Sequence, residues 1–546
     1  MSLLIDRRSL VRGGALGLGA LVLPGGAAAL AQLAAARGFT HSVASGEPQP
    51  ESVLLWTRFV GAGDGGARVR AEVSETADFA RVVAGGEAVT GPWRDWTVKL
   101  VATGLAPGRP YFYRFVADGQ TSPVGRTKTL PAGRTRAARF AVFSCSNLPF
   151  GWFNAYGHAA ARDDLDFALH LGDYLYEYAR GSYPSAREAV ADRVLEPAGE
   201  MIQLADYRTR YACYRADPDL QALHARLPMI ASWDDHESAN DSWEGGAENH
   251  TPGSEGEWSA RKAAAMQAWR EWMPVSDAPW GAYQIGDLAT LLRTETRLLG
   301  RSQPPSLVPI FAAGGDLQAA LTRFRDGAWQ DPARTMLGFE QEAWIEAAIR
   351  RSVAAGTRWQ IAGFGTIMGN TSTPAAVADW VPRDAPEIVQ TRVKAGLVAS
   401  SVGLPFNLDN WGGYPAARAR FLKAAQSAGA NLIVLAGDSH NGWAFDLVEG
   451  GKPAGVEFDT HSVSSPGFEN YFRNIDPAQT ARALVERNPE LKWANTRDRG
   501  YMVIGLTPEA ATSEWHFLET IRERTTRLAG THRMRVRAGR RQLEAA

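Results

Sequence analysis

Cysteine is nearly absent, with only Cys145 and Cys213 in 546 residues. That excludes a disulfide-stapled fold and leaves one bridge at most. Histidine is sparse as well, ten in all, and none lies between His250 and His440. A metal site fed by imidazoles from the middle of the chain is therefore excluded. A formal net charge of −1, with no basic stripe along the folded part, gives no bulk attraction to nucleic acid or anionic lipid. The chain has no internal repeat, which argues against a propeller or a solenoid. Hydrophobic residues at 45% and charged residues at 21% exclude a disordered chain. Eighteen tryptophans are many, but they are scattered and read as core or pocket wall.

The length exceeds what one core supports, so two domains are expected. Residues 1–31 read as a twin-arginine export signal: Arg7 and Arg8 precede an apolar segment from Gly13 to Leu23, and Ala27 to Ala31 offer cleavage sites. The apolar segment is too short and too rich in glycine for a stable membrane span. An uncleaved anchor is the other reading. Residues 38–131 read as short strands, among them Val53–Phe59, Val69–Val73, Thr97–Val101 and Tyr111–Val116, separated by turn signals. That pattern predicts a sandwich of the immunoglobulin or fibronectin kind. From residue 138 to 520, apolar strands alternate with helix candidates Trp258–Trp272, Phe339–Val353 and Ala416–Ala428, the pattern of an α/β domain. Residues 521–546, with Arg533, Arg535, Arg537, Arg540 and Arg541, read as a solvated basic tail.

Three apolar runs end abruptly in potential ligands. Leu432 to Ala436 runs into Gly437, Asp438 and His440. Phe167 to Leu171 runs into Gly172, Asp173 and Tyr176, and Met229 to Ser232 into Asp234, Asp235, His236 and Glu237. A fourth run, Phe140 to Phe143, ends in Cys145 and Asn147. Open α/β sheets bind ligands at the carboxyl ends of their strands, so distant parts of the chain converge on one metal site. Asp173 is the candidate bridging carboxylate, and Tyr176 can turn back as a phenolate. Phenolate and the Cys145 thiolate together favour iron. Asp235 and Asp438 offer oxygen to a harder ion, calcium or magnesium. Cys145 is then a ligand and Cys213 a buried filler; a single disulfide between them is the alternative. The glycine- and serine-rich stretch 240–257 follows the Asp235–His236 turn directly and is expected near the site.

The order Ser144-Cys145-Ser146-Asn147, Gly172-Asp173-Tyr174-Leu175-Tyr176-Glu177, Trp233-Asp234-Asp235-His236-Glu237 and Gly437-Asp438-Ser439-His440 resembles the alkaline phosphatase D family, within the calcineurin-like metallophosphoesterase superfamily. The resemblance implies a four-layer αββα sandwich behind the N-terminal β-sandwich, with one iron, Fe(3+), and one or two calcium ions, Ca(2+). It places Cys145, Asp173, Tyr176 and His440 on the iron side, and Asp173, Asp235 and Asp438 on the calcium side. His236 would assist the leaving oxygen or act as general acid, and Asp235 and Asn147 count beside it as catalytic candidates. Two positions depart from the family pattern: Gly412 stands where an acid is common, and Thr294-Glu295-Thr296-Arg297 replaces Leu-Asp-Thr-Arg.

The reading is an exported, periplasmic or secreted, metal-dependent hydrolase of small phosphate monoesters or diesters, attacking in line with a metal-activated hydroxide. Its partners are those esters and the twin-arginine export machinery, with no nucleic-acid surface and no membrane span after processing. The alternative is a non-catalytic exported binding protein that keeps the fold and a structural metal. Its sign would be a lost ligand, and every motif acid is in place.

Overall fold

The computed structural model describes residues 36–63, 65–381 and 387–546. The export signal read in residues 1–31 lies outside them. The N-terminal strands are β1 (Gly38–Gly46), β2 (Ser52–Val60), β3 (Ala67–Ser74), β4 (Val82–Thr90), β5 (Thr97–Thr103), β6 (Pro110–Ala117), β7 (Gln120–Thr121) and β8 (Gly125–Lys128). Strands β3, β4, β6, β7 and β8 form a five-stranded sheet. It packs on β1, β2 and β5 through Val43, Val53, Leu55, Val69, Val73, Tyr113 and Phe115. The alternation predicted here makes one face of each strand apolar, and the two faces close on each other.

Strands β1, β2 and β5 also belong to a second sheet. It continues through β9 (Ala138–Phe143), β10 (Phe167–Leu171) and β11 (Met229–Ser232). A third sheet is built from β12 (Gly281–Ile285), β13 (Ala289–Arg293), β14 (Trp359–Gly363), β15 (Leu432–Ala436), β16 (Gly442–Glu449), β17 (Lys452–Asp459) and β18 (Leu491–Asn495). The chain then returns to the second sheet as β19 (Gly500–Leu506), β20 (Ala510–Leu518), β21 (Leu528–Arg537) and β22 (Leu543–Ala545). The second sheet thus runs β22-β21-β20-β19-β9-β10-β11-β1-β2-β5, and the third β12-β13-β14-β15-β17-β16-β18.

The two large sheets face each other across Phe140, Val142, Leu169, Leu171 and Ile230 on one side and Ile361, Ile433, Leu435 and Phe458 on the other. The intervening residues Ala141, Phe143, Ala168 and Ala231 point outward onto helices Leu204–Arg215, Pro218–Arg226 and Trp258–Trp272. Leu432, Val434 and Ala436 point onto Phe339–Ala354 and Pro415–Ala428. A strand apolar on both faces is buried on both, which is why these runs read as continuous rather than alternating. The result is the αββα four-layer sandwich.

One sequence expectation is overturned. The stretch read as a basic tail is strand β21, paired antiparallel with β20, followed by β22. Met534 and Val536 alternate with the arginines and enter the core between the sheets. Arg533 pairs with Glu514 at 2.6 Å, and Arg535 and Arg537 with Glu544 at 2.5 and 2.8 Å. Reading the segment for its charge hid a period-two pattern.

Candidate metal centre

Strands β9, β10 and β11 are adjacent and parallel, with His170 opposite Phe143 and Leu171 opposite Ser232. They end at one level, so the turns after them share one edge of the sheet. Strand β15 brings its own turn to the same edge from the facing sheet. Four residues of these turns hold positive φ: Cys145 at 61°, Asp173 at 54°, Asp438 at 64° and His440 at 60°. Such backbone costs of order 1–3 kcal/mol per residue and persists only where the surroundings over-determine it. The surroundings here are main-chain bonds between turns, Cys145 N–H to Gly172 O at 3.2 Å and Ser146 N–H to Asp173 O at 2.8 Å. Gly172, at φ 97°, lies so close to Asp234 that a Cβ would stand 2.5 Å from its backbone nitrogen.

Among the described residues, three groups of donors form. Cys145, Asp173 and His440 make one; Asp173, Asp235 and His236 a second; Asp234, Asp235 and Asp438 a third, each with its ligand atoms within 4.8 Å of one another. Asp173 and Asp235 are each shared by two groups. The Tyr176 hydroxyl lies 3.0 Å from Asp173 Oδ2 and 3.1 Å from His440 Nε2, and accepts a bond from Ser465 at 2.7 Å. His440 donates through Nδ1 to the Pro466 carbonyl at 2.8 Å, which leaves the Nε2 lone pair facing the basin. Asn147 is buried with both amide atoms unpartnered, two residues beyond Cys145. Cys213, in the helix Leu204–Arg215, is buried and unbridged, as is Cys145.

Burial and crowding of like charge set the protonation. Burial, then the Asp173 carboxylate, pushes the Cys145 thiol and the Tyr176 phenol well above their ordinary ranges. Burial raises Asp438 to about 7, with Asp234 adding to it, and lowers His440 to about 3. His236 goes the other way. Burial opposes its charge, but Asp235, Glu177 and Asp173 outweigh it and hold the imidazolium well above the usual range. Its Nδ1 lies 2.7 Å from Glu177 Oε2, and its ring leans on Tyr176 at 4.1 Å.

Several residues of the site have a role that the sequence did not assign to them. Glu237 accepts from the main-chain N–H groups of Asp173, Tyr174 and Asp234 at 3.1, 2.6 and 2.7 Å, locking two turns together. Glu177 also accepts from Asn240 N–H and Asn249 Nδ2, both at 2.8 Å, so the stretch 240–257 borders the site. The fully buried Arg297 grips Asp234 at 2.7 and 2.9 Å and Asp409 at 2.6 Å, and stands 3.8 Å from Asp235 and 4.0 Å from Asp438. Thr366 donates to Asp438 Oδ2 at 2.7 Å. Arg297 and Thr366 lie just past the ends of β13 and β14, where the strand-end rule points.

The two departures are local. Glu295 caps the turn carrying Arg297 by accepting from Arg297 and Leu298 N–H at 2.7 and 2.6 Å, and takes the Trp233 indole at 2.8 Å. At Gly412 a Cβ would stand 2.9 Å from Asn410 Oδ1 and 3.0 Å from Pro405.

A four-layer α/β sandwich with one acidic, thiol- and phenol-bearing basin at its strand ends is the frame of the metallophosphoesterases. Comparison with known proteins narrows it. The family model for PhoD-like phosphatase matches residues 140–515, and that for the PhoD-like phosphatase N-terminal domain matches residues 25–131. Alkaline phosphatase D of Bacillus subtilis (strain 168) is 31% identical over 519 residues, covering 89% of this chain and 78% of that protein. A solved structure of PhoD superposes with a TM-score of 0.76 at 28% identity, covering 94% of this chain and 92% of the other. The chain belongs to the PhoD-like phosphatase family and is a phosphoric ester hydrolase.

Proposed function

We propose that the protein is an exported phosphate-ester hydrolase whose basin holds iron beside calcium. The observation that carries the reading is the sharing of Asp173 and Asp235 among three donor groups. A second supports it: Asp173 Oδ1 is buried without a hydrogen-bond partner, which costs free energy unless a cation or donor takes it. Cys145, Asp173, Tyr176 and His440 are the set for iron, because thiolate and phenolate suit a strongly Lewis-acidic ion. Asp173, Asp235 and Asp438 are the set for calcium, which prefers oxygen. Bound there, the metals would polarise the ester and lower the pKa of an attacking water.

The chain's own contribution is charge and position. Glu177 fixes the His236 ring through Nδ1, so Nε2 is the atom left to donate a proton to the leaving oxygen. Asn147 offers a neutral amide beside the Cys145 turn for a phosphoryl oxygen. Arg297 fixes the Asp234–Asp235 turn by two bonds to Asp234, so Asp235 keeps its place.

Small monoesters and diesters are the substrate class, since a net charge of −1 gives no steering towards polyanionic polymers. Arg7 and Arg8 in the leader direct the folded protein through the twin-arginine machinery to the periplasm or medium. Among the described residues no helix is long and apolar enough to cross a membrane. The deciding experiment is hydrolysis of p-nitrophenyl phosphate and bis(p-nitrophenyl) phosphate, with and without a calcium chelator. Both esters should be cleaved, chelation should stop both, and Asp173→Asn should be inert. Absence of hydrolysis, or rates indifferent to chelator, would refute the reading.

A further inference from the structure

The helix Leu204–Arg215 sends into the protein a guanidinium that, among the described residues, hydrogen-bonds no carboxylate. Arg210 is fully buried, and the acceptors around it are main-chain carbonyls. Nη1 donates to Tyr176 and, at 3.2 Å, to Tyr178. Nη2 donates to Tyr178, Pro197 and Gly199 at 3.2, 3.0 and 3.2 Å, and Nε to Glu196 at 3.1 Å. Burial lowers its pKa, the mark of a cation held away from water.

These carbonyls belong to two segments. One, Tyr176 to Tyr178, leaves the Asp173 turn; the other, Glu196 to Gly199, returns from the excursion between them. Main-chain bonds from Met201 N–H to Glu177 O at 3.0 Å and from Arg180 N–H to Ala198 O at 2.8 Å close the same neck. The two carbonyls flanking Glu177 therefore both meet one guanidinium. On either side of that grip, the Tyr176 hydroxyl faces Asp173 and His440, and the Glu177 carboxylate faces His236. A planar fork with five donors can span two segments at once; a lysine ammonium, with its donors on one atom, cannot.

We propose that Arg210 is a positioning residue of the hydrolase, setting the main chain at Tyr176–Tyr178 so that the phenol and the carboxylate reach their partners. The proposal rests on the roles given above to Tyr176, Glu177 and His236. Its test compares Arg210→Lys and Arg210→Met with Leu484→Ala, a cavity variant in the core of the opposite helix layer. On p-nitrophenyl phosphate, both Arg210 variants should lose kcat by about 10–100-fold, as orienting residues do, with KM little changed. Leu484→Ala should lower Tm and keep kcat. Adding Arg210→Met to Glu177→Gln should cost less than Arg210→Met alone, because part of the effect of Arg210 runs through the carboxylate that Glu177→Gln has already removed. Deuterium exchange gives a readout free of activity: amides from Tyr176 to Arg180 should exchange faster in Arg210→Lys and not in Leu484→Ala. If Arg210→Met fails to fold, Arg210→Lys carries both measurements. Wild-type kcat in a folded Arg210 variant, an additive double variant, or unchanged exchange would each overturn the proposal. If the wild-type protein cleaves no ester, the functional reading falls, while the exchange experiment still decides whether Arg210 holds the segment.

Discussion

His236 and Glu177 illustrate how much one residue's neighbour decides. A buried histidine ordinarily loses its proton, as His170 does, pushed down to about 3 by burial alone. His236 is buried too, yet faces Asp235, Glu177 and Asp173 and keeps the charge. Glu177→Gln retains the shape and removes the counter-charge. Activity on p-nitrophenyl phosphate should fall by about 10–100-fold with metal content unchanged; an unaltered kcat would remove Glu177 from the mechanism. At this scale the clustering of candidate ligands was legible wherever a ligand type stood at a strand end, as with Cys145, Asp173, Asp235, Asp438 and His440. It was illegible where the role is relational. Nothing in the string around Arg297 says that it meets Asp234 and Asp409, because those contacts join residues 63 and 112 positions away. Glu237 was visible as an acid, but its hold on the Asp173 turn depends on β10 and β11 being neighbours.

At the scale of elements, apolar runs and turn signals placed the strands and helices named from the sequence within a residue or two. Trp258–Trp272, for instance, was expected and found with the same bounds. Strand β4 was missed because Val82–Thr90 carries Gly85 and Gly86 and is mostly exposed, so no alternation marks it. The end of the chain was misread for the opposite reason, its arginines being more conspicuous than Met534 and Val536 between them. That correction is testable. Removal of residues 521–546 strips β21 from β20, opens a long edge and uncovers the core between the sheets. Tm should drop by several degrees and the truncated protein should aggregate. A truncated protein with the Tm of the full chain would restore the tail reading.

At the scale of the whole molecule, the N-terminal sandwich is sutured to the rest rather than appended. Gly46 of β1 pairs parallel with Met229 of β11. Trp56 of β2 donates to the Glu271 carbonyl at 2.8 Å and carries the Arg215 guanidinium 4.0 Å above its ring. Composition and turn spacing announced a β domain, but a sheet shared by residues so far apart leaves no local mark. Calorimetry should therefore show one transition for both domains, and Trp56→Ala should lower it as a whole. Two separated transitions would mean independent modules. The central claim is that the shared carboxylates hold iron beside calcium, and elemental analysis with visible absorption of the purified protein tests it most directly. About one iron per chain, calcium beside it, and a broad charge-transfer band that disappears in Tyr176→Phe are the results the donor set predicts. Colourless protein containing only zinc would contradict it.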